Sequence, residues 1–190
     1  MAEEIEIKFR VNGLPALNRR LRRLGFRRVT QPTHEMNTLY DLAGLPLRRR
    51  GELLRLRQYG KEWVLTHKAK GKTGRYKTRV ENETKVDDGR RMAIILGALG
   101  FKPTFQYEKF RAEWSDGKVH VVVDETPIGN FSEIEGSPRW IDKTARSLGI
   151  KTDDYITLTY TELFARWKRR THNSAPVMTF AAVRTARAKK

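Results

Sequence analysis

The stretch that decides the fold lies at the start of the chain, where residues 3–11 read EEIEIKFRV. Successive side chains of a β-strand point to opposite faces, so residues two apart share a face. Glu4, Glu6 and Lys8 therefore project together, and the apolar residues between them face the other way. The pattern predicts a strand with one strongly charged face and one buried apolar face.

The same alternation returns in later segments of the chain. The further sets that share a face are Arg55 with Arg57, Thr66 with Lys68 and Lys70, Arg79 with Glu81 and Glu83, Lys109 with Arg111, and Glu133 with Glu135; Asp124 lies in an apolar run. A half-exposed antiparallel strand also alternates polar and apolar residues. Ordinary solvent faces, however, use Thr, Ser, Gln and Lys freely, so strong charges of both signs on six strands favour faces that converge inside a closed or nearly closed sheet.

The rest of the chain predicts an α+β protein dominated by an antiparallel sheet. Strands are predicted at 3–11, 34–41, 51–59, 62–70, 75–86, 104–115, 118–125 and 130–136. Helices are predicted at 14–24, 88–99, 138–148 and about 157–168. Two strand–helix–strand segments look alike, since each follows a Glu-x-Glu strand with a helix that ends in Leu-Gly-Phe, at 24–26 and at 99–101. The similarity predicts a duplication.

Composition excludes several classes of protein. The 190 residues contain no Cys, which excludes disulfides, thiolate metal sites and thiol catalysis. No apolar run approaches the roughly 20 residues that cross a bilayer, and the charged start of the chain is unlike a signal peptide, so we expect a cytoplasmic protein without a membrane span. The chain length suits one domain, which we place at 1–168, followed by a basic, flexible tail at 169–190.

The net charge of +17 suggests a nucleic-acid partner until its distribution is considered. Eight Lys and Arg, and no acidic residue, lie between Arg166 and Lys190. Another arginine-rich block surrounds the apolar stripe of the helix predicted at 14–24, which is typical of a solvated helix face. The remaining cations alternate with carboxylates along the strands, and we therefore hold nucleic acid open as a partner without favouring it.

Charges that converge inside a sheet are costly to bury unless each is paired or bound to a ligand. Carboxylates on neighbouring strands suit Mg²⁺ or Mn²⁺, which prefer oxygen ligands. A ring of Arg and Lys suits the oxygens of a polyanion. A metal-bound triphosphate satisfies both sets. No GxxxxGK[ST] loop is present, so side chains would hold the phosphates.

The ordered set of motifs resembles the CYTH superfamily, the triphosphate tunnel metalloenzymes. Glu4-x-Glu6-x-Lys8 resembles the family signature, and the other charged pairs follow in the family's order up to Phe131-x-Glu133-x-Glu135. The resemblance covers about residues 3–165. It departs in the second strand, where only Tyr40-Asp41 matches an aromatic-aromatic-Asp stretch.

The resemblance implies an eight-stranded antiparallel barrel, or tunnel, with helices packed outside. It implies that phosphates are held by Lys8, Arg55, Arg57, Lys68, Arg79, Lys109 and Arg111. It implies metal ligands at Glu4, Glu6, Glu133 and Glu135, with Glu81, Glu83 and Asp124 as further ligands or as residues that support them. The resemblance also implies a Mg²⁺ or Mn²⁺ cofactor. It gives Lys8 a catalytic role, as the residue that helps to activate the attacking water.

Three functions stay open at this point. The first is a divalent-metal-dependent hydrolase of inorganic, thiamine or nucleoside triphosphate, the second a class IV adenylyl cyclase that makes cyclic AMP and pyrophosphate from ATP. The third is a non-catalytic RNA or polyphosphate binder, which would not need paired carboxylates because carboxylates repel phosphate. The intact Glu133-Ile134-Glu135 motif places hydrolysis first. Neither the substrate nor the oligomeric state, for which a homodimer is open, follows from the sequence.

Overall fold

A computed structural model describes residues 2–188 of the chain. Its strands are β1 (Ala2–Val11), β2 (Arg27–Asp41), β3 (Leu53–Tyr59), β4 (Glu62–Lys68), β5 (Lys72–Thr73), β6 (Lys77–Val86), β7 (Lys102–Ser115), β8 (His120–Thr126) and β9 (Gly129–Glu135). Its helices are α1 (Leu14–Arg23), α2 (Pro46–Arg50), α3 (Gly89–Ala98), α4 (Pro138–Ser147), α5 (Tyr160–Thr171) and α6 (Phe180–Ala188), with a 3-10 turn at Thr152–Asp154.

Eight of these strands close into an antiparallel barrel. The strand order is β1-β9-β8-β7-β2-β3-β4-β6, and β6 returns to pair with β1. The closing ladder is short and joins residues 2–6 of β1 to residues 77–81 of β6. The two-residue strand β5 pairs only with the start of β6. The predicted α+β fold, an eight-stranded barrel with helices outside, is confirmed.

Strand parity sorts the side chains as the sequence predicts. Ile7 and Phe9 of β1 pack outside the barrel with Leu21 of α1 and Ile141 of α4. On another side, α3 packs its buried Leu96 against the outer faces of β3 and β4. The charged alternate positions therefore face the interior of the barrel.

One end of the barrel is covered by the C-terminal segment. α5 packs Tyr160, Leu163 and Phe164 against Tyr107 and Phe131, which belong to the inward faces of β7 and β9. The capping box of Thr159 and Glu162 starts this helix, because each side chain accepts from the other residue's backbone N–H. Aromatic side chains thus line the interior at this end of the barrel.

The structure differs from the sequence expectation in four elements. β2 begins at Arg27 rather than 34, and α2, β5 and α6 were not predicted. Where a flexible tail is expected, Met178 is fully buried and exchanges backbone hydrogen bonds with β7. These tertiary contacts order a segment that has no sustained period of its own; Lys189 and Lys190 lie outside the described residues. No helix within residues 2–188 has the length and apolar character needed to span a membrane.

The duplicated segments form equivalent elements. β1–α1–β2 corresponds to β6–α3–β7, and β1 pairs with β6 as β2 pairs with β7. If β1, β2, β3 and β4 are exchanged with β6, β7, β8 and β9, the order of the strands around the barrel is unchanged except that it runs in the opposite direction. The barrel therefore has an internal two-fold relation between its halves.

Candidate active site in a charged tunnel

The interior of the barrel holds a cavity of about 250 Å³. Its walls carry Lys and Arg side chains from five strands and Glu side chains from four. The cations are Lys8, Arg55, Arg57, Lys68, Lys77, Arg79, Lys109 and Arg111; the acids are Glu4, Glu6, Glu81, Glu83, Glu113, Glu133 and Glu135. All seven predicted phosphate ligands and six of the seven predicted metal ligands line this one cavity.

Three of the predicted metal ligands form a compact carboxylate cluster. Oxygens of Glu4, Glu6 and Glu135 all lie within 4.8 Å of one another. The cluster forms because β1 and β9 are neighbours in the barrel and place Glu6 opposite Glu135. Of the seven acids predicted from the resemblance, these are the ones that the structure gathers at metal-binding spacing.

The cluster is electrostatically strained. Burial, and then the charges of Glu133 and Glu4, raise the pKa of Glu135 to about 8. Burial and the adjacent Glu81 likewise raise the pKa of Glu4, although Lys68 acts against them. Crowded oxygen donors whose charge is undercompensated suit a hard divalent cation, so the residues present fit Mg²⁺ or Mn²⁺.

The other predicted metal ligands lie outside this cluster and are paired with cations, as Glu4 is with Lys68 and Glu6 with Lys77. Glu133 lies 3.0 Å from Lys8 and 2.7 Å from Arg111. Burial opposes the ionisation of Glu133, but the charges of Lys8 and Arg111 outweigh it and hold its pKa well below the usual range. Glu83 pairs with Arg55 at 3.1 Å, and Glu81 pairs with Lys68. These carboxylates hold the cationic wall in place.

Asp124 lies behind the tunnel wall and is fully buried. It accepts two hydrogen bonds of 2.8 Å from Arg111, one of 2.9 Å from Lys109 and one of 2.6 Å from the Tyr160 hydroxyl. A carboxylate with four such donors orients its partners. The structure thus places Asp124 as an anchor for two tunnel cations rather than in the carboxylate cluster.

Lys8 is fixed from three sides. Its ammonium lies 3.0 Å from Glu133, donates to the Leu158 carbonyl at 3.2 Å and sits 4.6 Å from the centre of the Tyr160 ring. Burial lowers the pKa of this amine, but Glu133 and Glu6 more than offset burial, so the pKa is raised. Lys8 therefore lies between the carboxylate cluster and the aromatic end of the tunnel.

Arg79 is a cation of the tunnel wall that forms no ion pair among the described residues. Within residues 2–188 no carboxylate lies at ion-pair distance from it, and its buried Nε has no hydrogen-bond partner there. The loop before β6 packs closely on it, since a Cβ at Gly71 would lie 3.0 Å from that Nε. An unpaired guanidinium turned into a cavity is well suited to phosphate oxygens.

Sequence reasoning missed several residues of the site, among them Glu113, which shares a face of β7 with Lys109 and Arg111. Glu35 is fully buried and lies 3.4 Å from Lys109, 3.8 Å from Arg111 and 3.9 Å from Arg57. Lys77 pairs with Glu6, and strand parity could have found it because it shares a face with Arg79. Tyr160 comes from a helix, where strand parity gives no signal.

The tunnel therefore contains both a candidate metal site and a candidate phosphate site. A carboxylate cluster at metal-binding spacing lies on β1 and β9. Fixed Arg and Lys side chains surround the rest of the cavity. Such a site can bind a compact polyanion together with a divalent cation, and it can stabilise charge that develops on phosphoryl oxygens.

Comparison with known proteins gives a second, independent line of observation. The family model for the CYTH domain matches residues 2–160. A protein from Methanocaldococcus jannaschii that bears the name "Putative adenylate cyclase" is 26% identical over 171 residues, which cover 84% of this chain and 97% of that protein. The solved structure of the PH1012 protein of Pyrococcus horikoshii has 26% identity and a TM-score of 0.72 over 84% of this chain and 98% of that chain.

A plant structure shows the same fold at lower identity. A protein from Hippeastrum, which bears the name "Putative adenylyl cyclase" and is described as having a dominant triphosphatase activity, has 19% identity and a TM-score of 0.67. The match covers 86% of this chain and 95% of that chain. At this identity the likeness concerns the fold alone.

Proposed function

The chain belongs to the CYTH domain family, and on that premise we propose that it is a divalent-metal-dependent hydrolase of a triphosphate bound in the tunnel. The observation that carries this proposal is the carboxylate cluster of Glu4, Glu6 and Glu135 in the same cavity as eight Lys and Arg side chains. A polyanion site has no use for clustered carboxylates unless a cation lies between them and the phosphates. Mg²⁺ or Mn²⁺, held by that cluster, would neutralise phosphoryl oxygens and position the attacking water.

The chain's own side chains bind and orient the substrate. Arg55 and Arg57 are held by Glu83, and Lys109 and Arg111 by Asp124, so each pair presents its charge without rearrangement. Fixed charges of this kind stabilise the transition state of phosphoryl transfer. Arg79 supplies a cation with no internal partner among the described residues. Lys8 keeps the catalytic role that the family resemblance implies; because its pKa is raised, it acts as an ammonium that orients the attacking water and not as a base that accepts its proton.

Hydrolysis forms a bond from the water oxygen to the terminal phosphorus and breaks the bond from that phosphorus to its bridging oxygen, and the proton that the water loses passes to solvent. The paired cations carry the negative charge that collects on the leaving phosphate. We infer that the reaction takes place in the cytoplasm, the compartment that the Cys-free composition favours.

The second candidate function is adenylyl cyclisation. The name of the Methanocaldococcus jannaschii relative favours it, and so does a larger chamber of about 940 Å³ that adjoins the tunnel and could hold a nucleoside. In that reaction the ribose 3′-hydroxyl attacks the α-phosphorus of ATP and pyrophosphate leaves. The tunnel would hold the same three phosphates in either case, so the products decide between the two.

The first test measures products and metal dependence together. The purified protein is incubated with inorganic triphosphate, thiamine triphosphate and ATP, with Mg²⁺, with Mn²⁺ and with a chelator. We expect metal-dependent release of phosphate, and chromatography of the ATP reaction should show ADP rather than cyclic AMP. No metal-dependent turnover of any of the three, together with tight RNA binding, would favour the non-catalytic alternative.

Glu6→Ala tests the carboxylate cluster. We expect this variant to lose metal-dependent turnover by at least about a hundredfold, because it removes one of three clustered oxygen donors. Glu3→Ala is the matched control, since Glu3 lies on the same strand at an exposed, outward position. Equal activity of the two variants would show that the metal does not bind at this cluster.

A further inference from the structure

Helix α3 carries large apolar side chains on the face that points away from the barrel. Ile94 is 73% exposed, Leu99 is 66% exposed and Ile95 is 45% exposed. Ile95 and Leu99 lie one helical turn apart, and Ile94 lies beside Ile95, so the three form one patch. The opposite face of the helix is in use, since its Leu96 is buried against β3 and β4. A contiguous apolar patch in water marks an interaction surface, whereas a single exposed Leu does not.

The internal duplication supplies a comparison for this face. α1 and α3 are equivalent helices of ten residues, and the buried Leu21 of α1 corresponds to the buried Leu96 of α3. With these two aligned, three outward positions hold arginine in α1 and apolar residues in α3: Arg19, Arg20 and Arg23 against Ile94, Ile95 and Ala98. The fold therefore accepts charged residues at these positions, and the apolar side chains of α3 are not needed to build the barrel.

The charges at the two ends of α3 are arranged symmetrically about this patch. Asp87 lies just before the helix and Lys102 just after it, and both are exposed. Neither forms an ion pair within residues 2–188. The point midway between them in the sequence falls between Ile94 and Ile95. A two-fold axis beside these two isoleucines would therefore bring Asp87 of one chain to Lys102 of another, and the reverse.

We propose that α3 is the contact helix of a symmetric homodimer, in which it packs antiparallel against α3 of a second copy of this chain. In that register Ile94 meets Ile95 of the second copy. The apolar stem of Arg91 covers Ala98 of the second copy, whose small side chain lets the helix axes approach. Antiparallel helices also place their opposite dipole ends side by side.

The charge pattern favours a second copy over other occupants of this face. A symmetric contact requires charges of opposite sign at equal distances from its centre, as Asp87 and Lys102 are. An unrelated protein imposes no such condition. An anionic membrane surface would be repelled by Asp87 and Asp88, which are both exposed at the start of the helix.

The dimer would leave the tunnel as described. α3 packs on the outer faces of β3 and β4, whereas the candidate metal and phosphate ligands point into the barrel. The proposal therefore does not depend on which reaction the tunnel performs, and it stands or falls on the state of association alone.

Sedimentation velocity of the full chain is the direct test. One pair of ten-residue helices makes a small interface, so we expect reversible association with a dissociation constant of about 10 μM. The sedimentation coefficient should rise from that of a monomer to that of a dimer over roughly 1 to 200 μM protein. A monomer at every concentration would overturn the proposal, including a monomer that vesicles or another protein bind through this face.

The variant Ile94→Arg/Ile95→Arg gives α3 the residues that α1 carries at the equivalent positions. We expect its dissociation constant to rise at least about a hundredfold, because the contact would then bring like charges together. Val29→Arg is the matched control, since Val29 is 57% exposed on β2, outside this face, and it should associate as the wild type does. Circular dichroism should show the same fold in both variants. A dimer that persists in the double variant would place the interface elsewhere and refute the proposal.

Charge reversal tests the two-fold register without touching the apolar patch. Asp87→Lys and Lys102→Asp should each weaken association by roughly tenfold, since each brings like charges together at both ends of the contact. The two substitutions combined restore opposite charges, so the double variant should associate within about threefold of the wild type. Losses that add in the double variant would contradict the antiparallel arrangement.

Discussion

At the scale of single residues, Glu35 was not among the predicted site residues, yet it lies within ion-pair distance of three cations of the tunnel wall. It is fully buried on β2: its Oε2 faces Arg111 and Arg57, and its Oε1 faces Lys109 and accepts a hydrogen bond of 2.8 Å from the Asn37 amide. Burial opposes its ionisation, but Lys109 and Arg111 outweigh burial and hold its pKa well below the usual range. Glu35 is therefore an ionised anchor for three phosphate-binding candidates.

Glu35→Gln should lower the free energy of unfolding by about 3 kcal/mol at pH 7, because it leaves buried cations undercompensated. The native-state pKa is below the unfolded value of about 4.3, so the stabilisation is complete above that pH and is lost as the pH falls through the native value. Urea unfolding of wild type and variant at pH 7 and at about pH 2.5 measures the difference, because the lower pH lies well inside the window between the two pKa values.

Glu113→Gln is the control for this variant. Glu113 lines the same tunnel on β7 but forms no salt bridge among residues 2–188. Its replacement should change the unfolding free energy by less than about 1 kcal/mol. A similar loss in both variants would mean that Glu35 has no special role in holding the cations.

The candidate site could be predicted to the extent that strand parity determines it. Parity placed all seven predicted cations and six acids inside one cavity, where the structure has them. It could not show which acids come together in a cluster, because that depends on the register between strands. It also could not find Tyr160, whose position follows from the docking of α5 on the barrel end. The roles assigned to these residues stay predictions.

At the scale of elements, the start of α3 is fitted tightly against the barrel. Asp88 caps the helix by accepting from the Arg91 N–H at 2.9 Å. The first helical residue, Gly89, lies against the indole of Trp63 on β4, and a Cβ added there would come within 2.0 Å of that ring. Only glycine lets the helix begin this close to the sheet.

Gly89→Ala should therefore destabilise the protein by about 2 kcal/mol, since Trp63 or the helix must move. Gly97→Ala in the same helix is the matched control, because an added Cβ there meets nothing within 4 Å. That substitution should stabilise the protein by about 0.5 to 1 kcal/mol, as Ala replaces Gly in a helix. Thermal unfolding of both variants measures the contrast, and a shift of the same sign in both would refute this account of α3.

Elements with a clear period were predictable, and those ordered by tertiary contact were not. All eight barrel strands and four helices were placed from alternation, helical spacing and turn residues. α2 is a single turn held by Asp41, and residues 172–188 are ordered by burial of Met178 and Val183. Neither leaves a periodic pattern in the sequence.

At the scale of the whole molecule, barrel closure and the candidate metal site share one strand. The ladder between β1 and β6 spans only residues 2–6, and it contains Glu4 and Glu6 of the carboxylate cluster. A cation bound there would hold β1 to β9 and relieve the repulsion within the cluster. Metal binding should therefore stabilise the entire fold.

Millimolar Mg²⁺ or Mn²⁺ should raise the thermal midpoint of the wild type by roughly 5 °C, which corresponds to a concentration near one hundred times the dissociation constant. Glu4→Gln should abolish most of this shift. Glu3→Gln, one residue away on the exposed outer face, should retain it. Equal shifts in both variants would place the metal elsewhere.

The short closing ladder has a practical consequence for anyone who purifies this protein. Ala2 already pairs with Glu81, and Glu4 of the carboxylate cluster follows two residues later. An N-terminal polyhistidine tag would place a competing metal chelator beside the proposed metal ligands. It would also extend directly from the strand whose short ladder closes the barrel. Metal titrations on such a fusion would report the tag as well as the tunnel, so the tag should be cleaved before any measurement with Mg²⁺ or Mn²⁺.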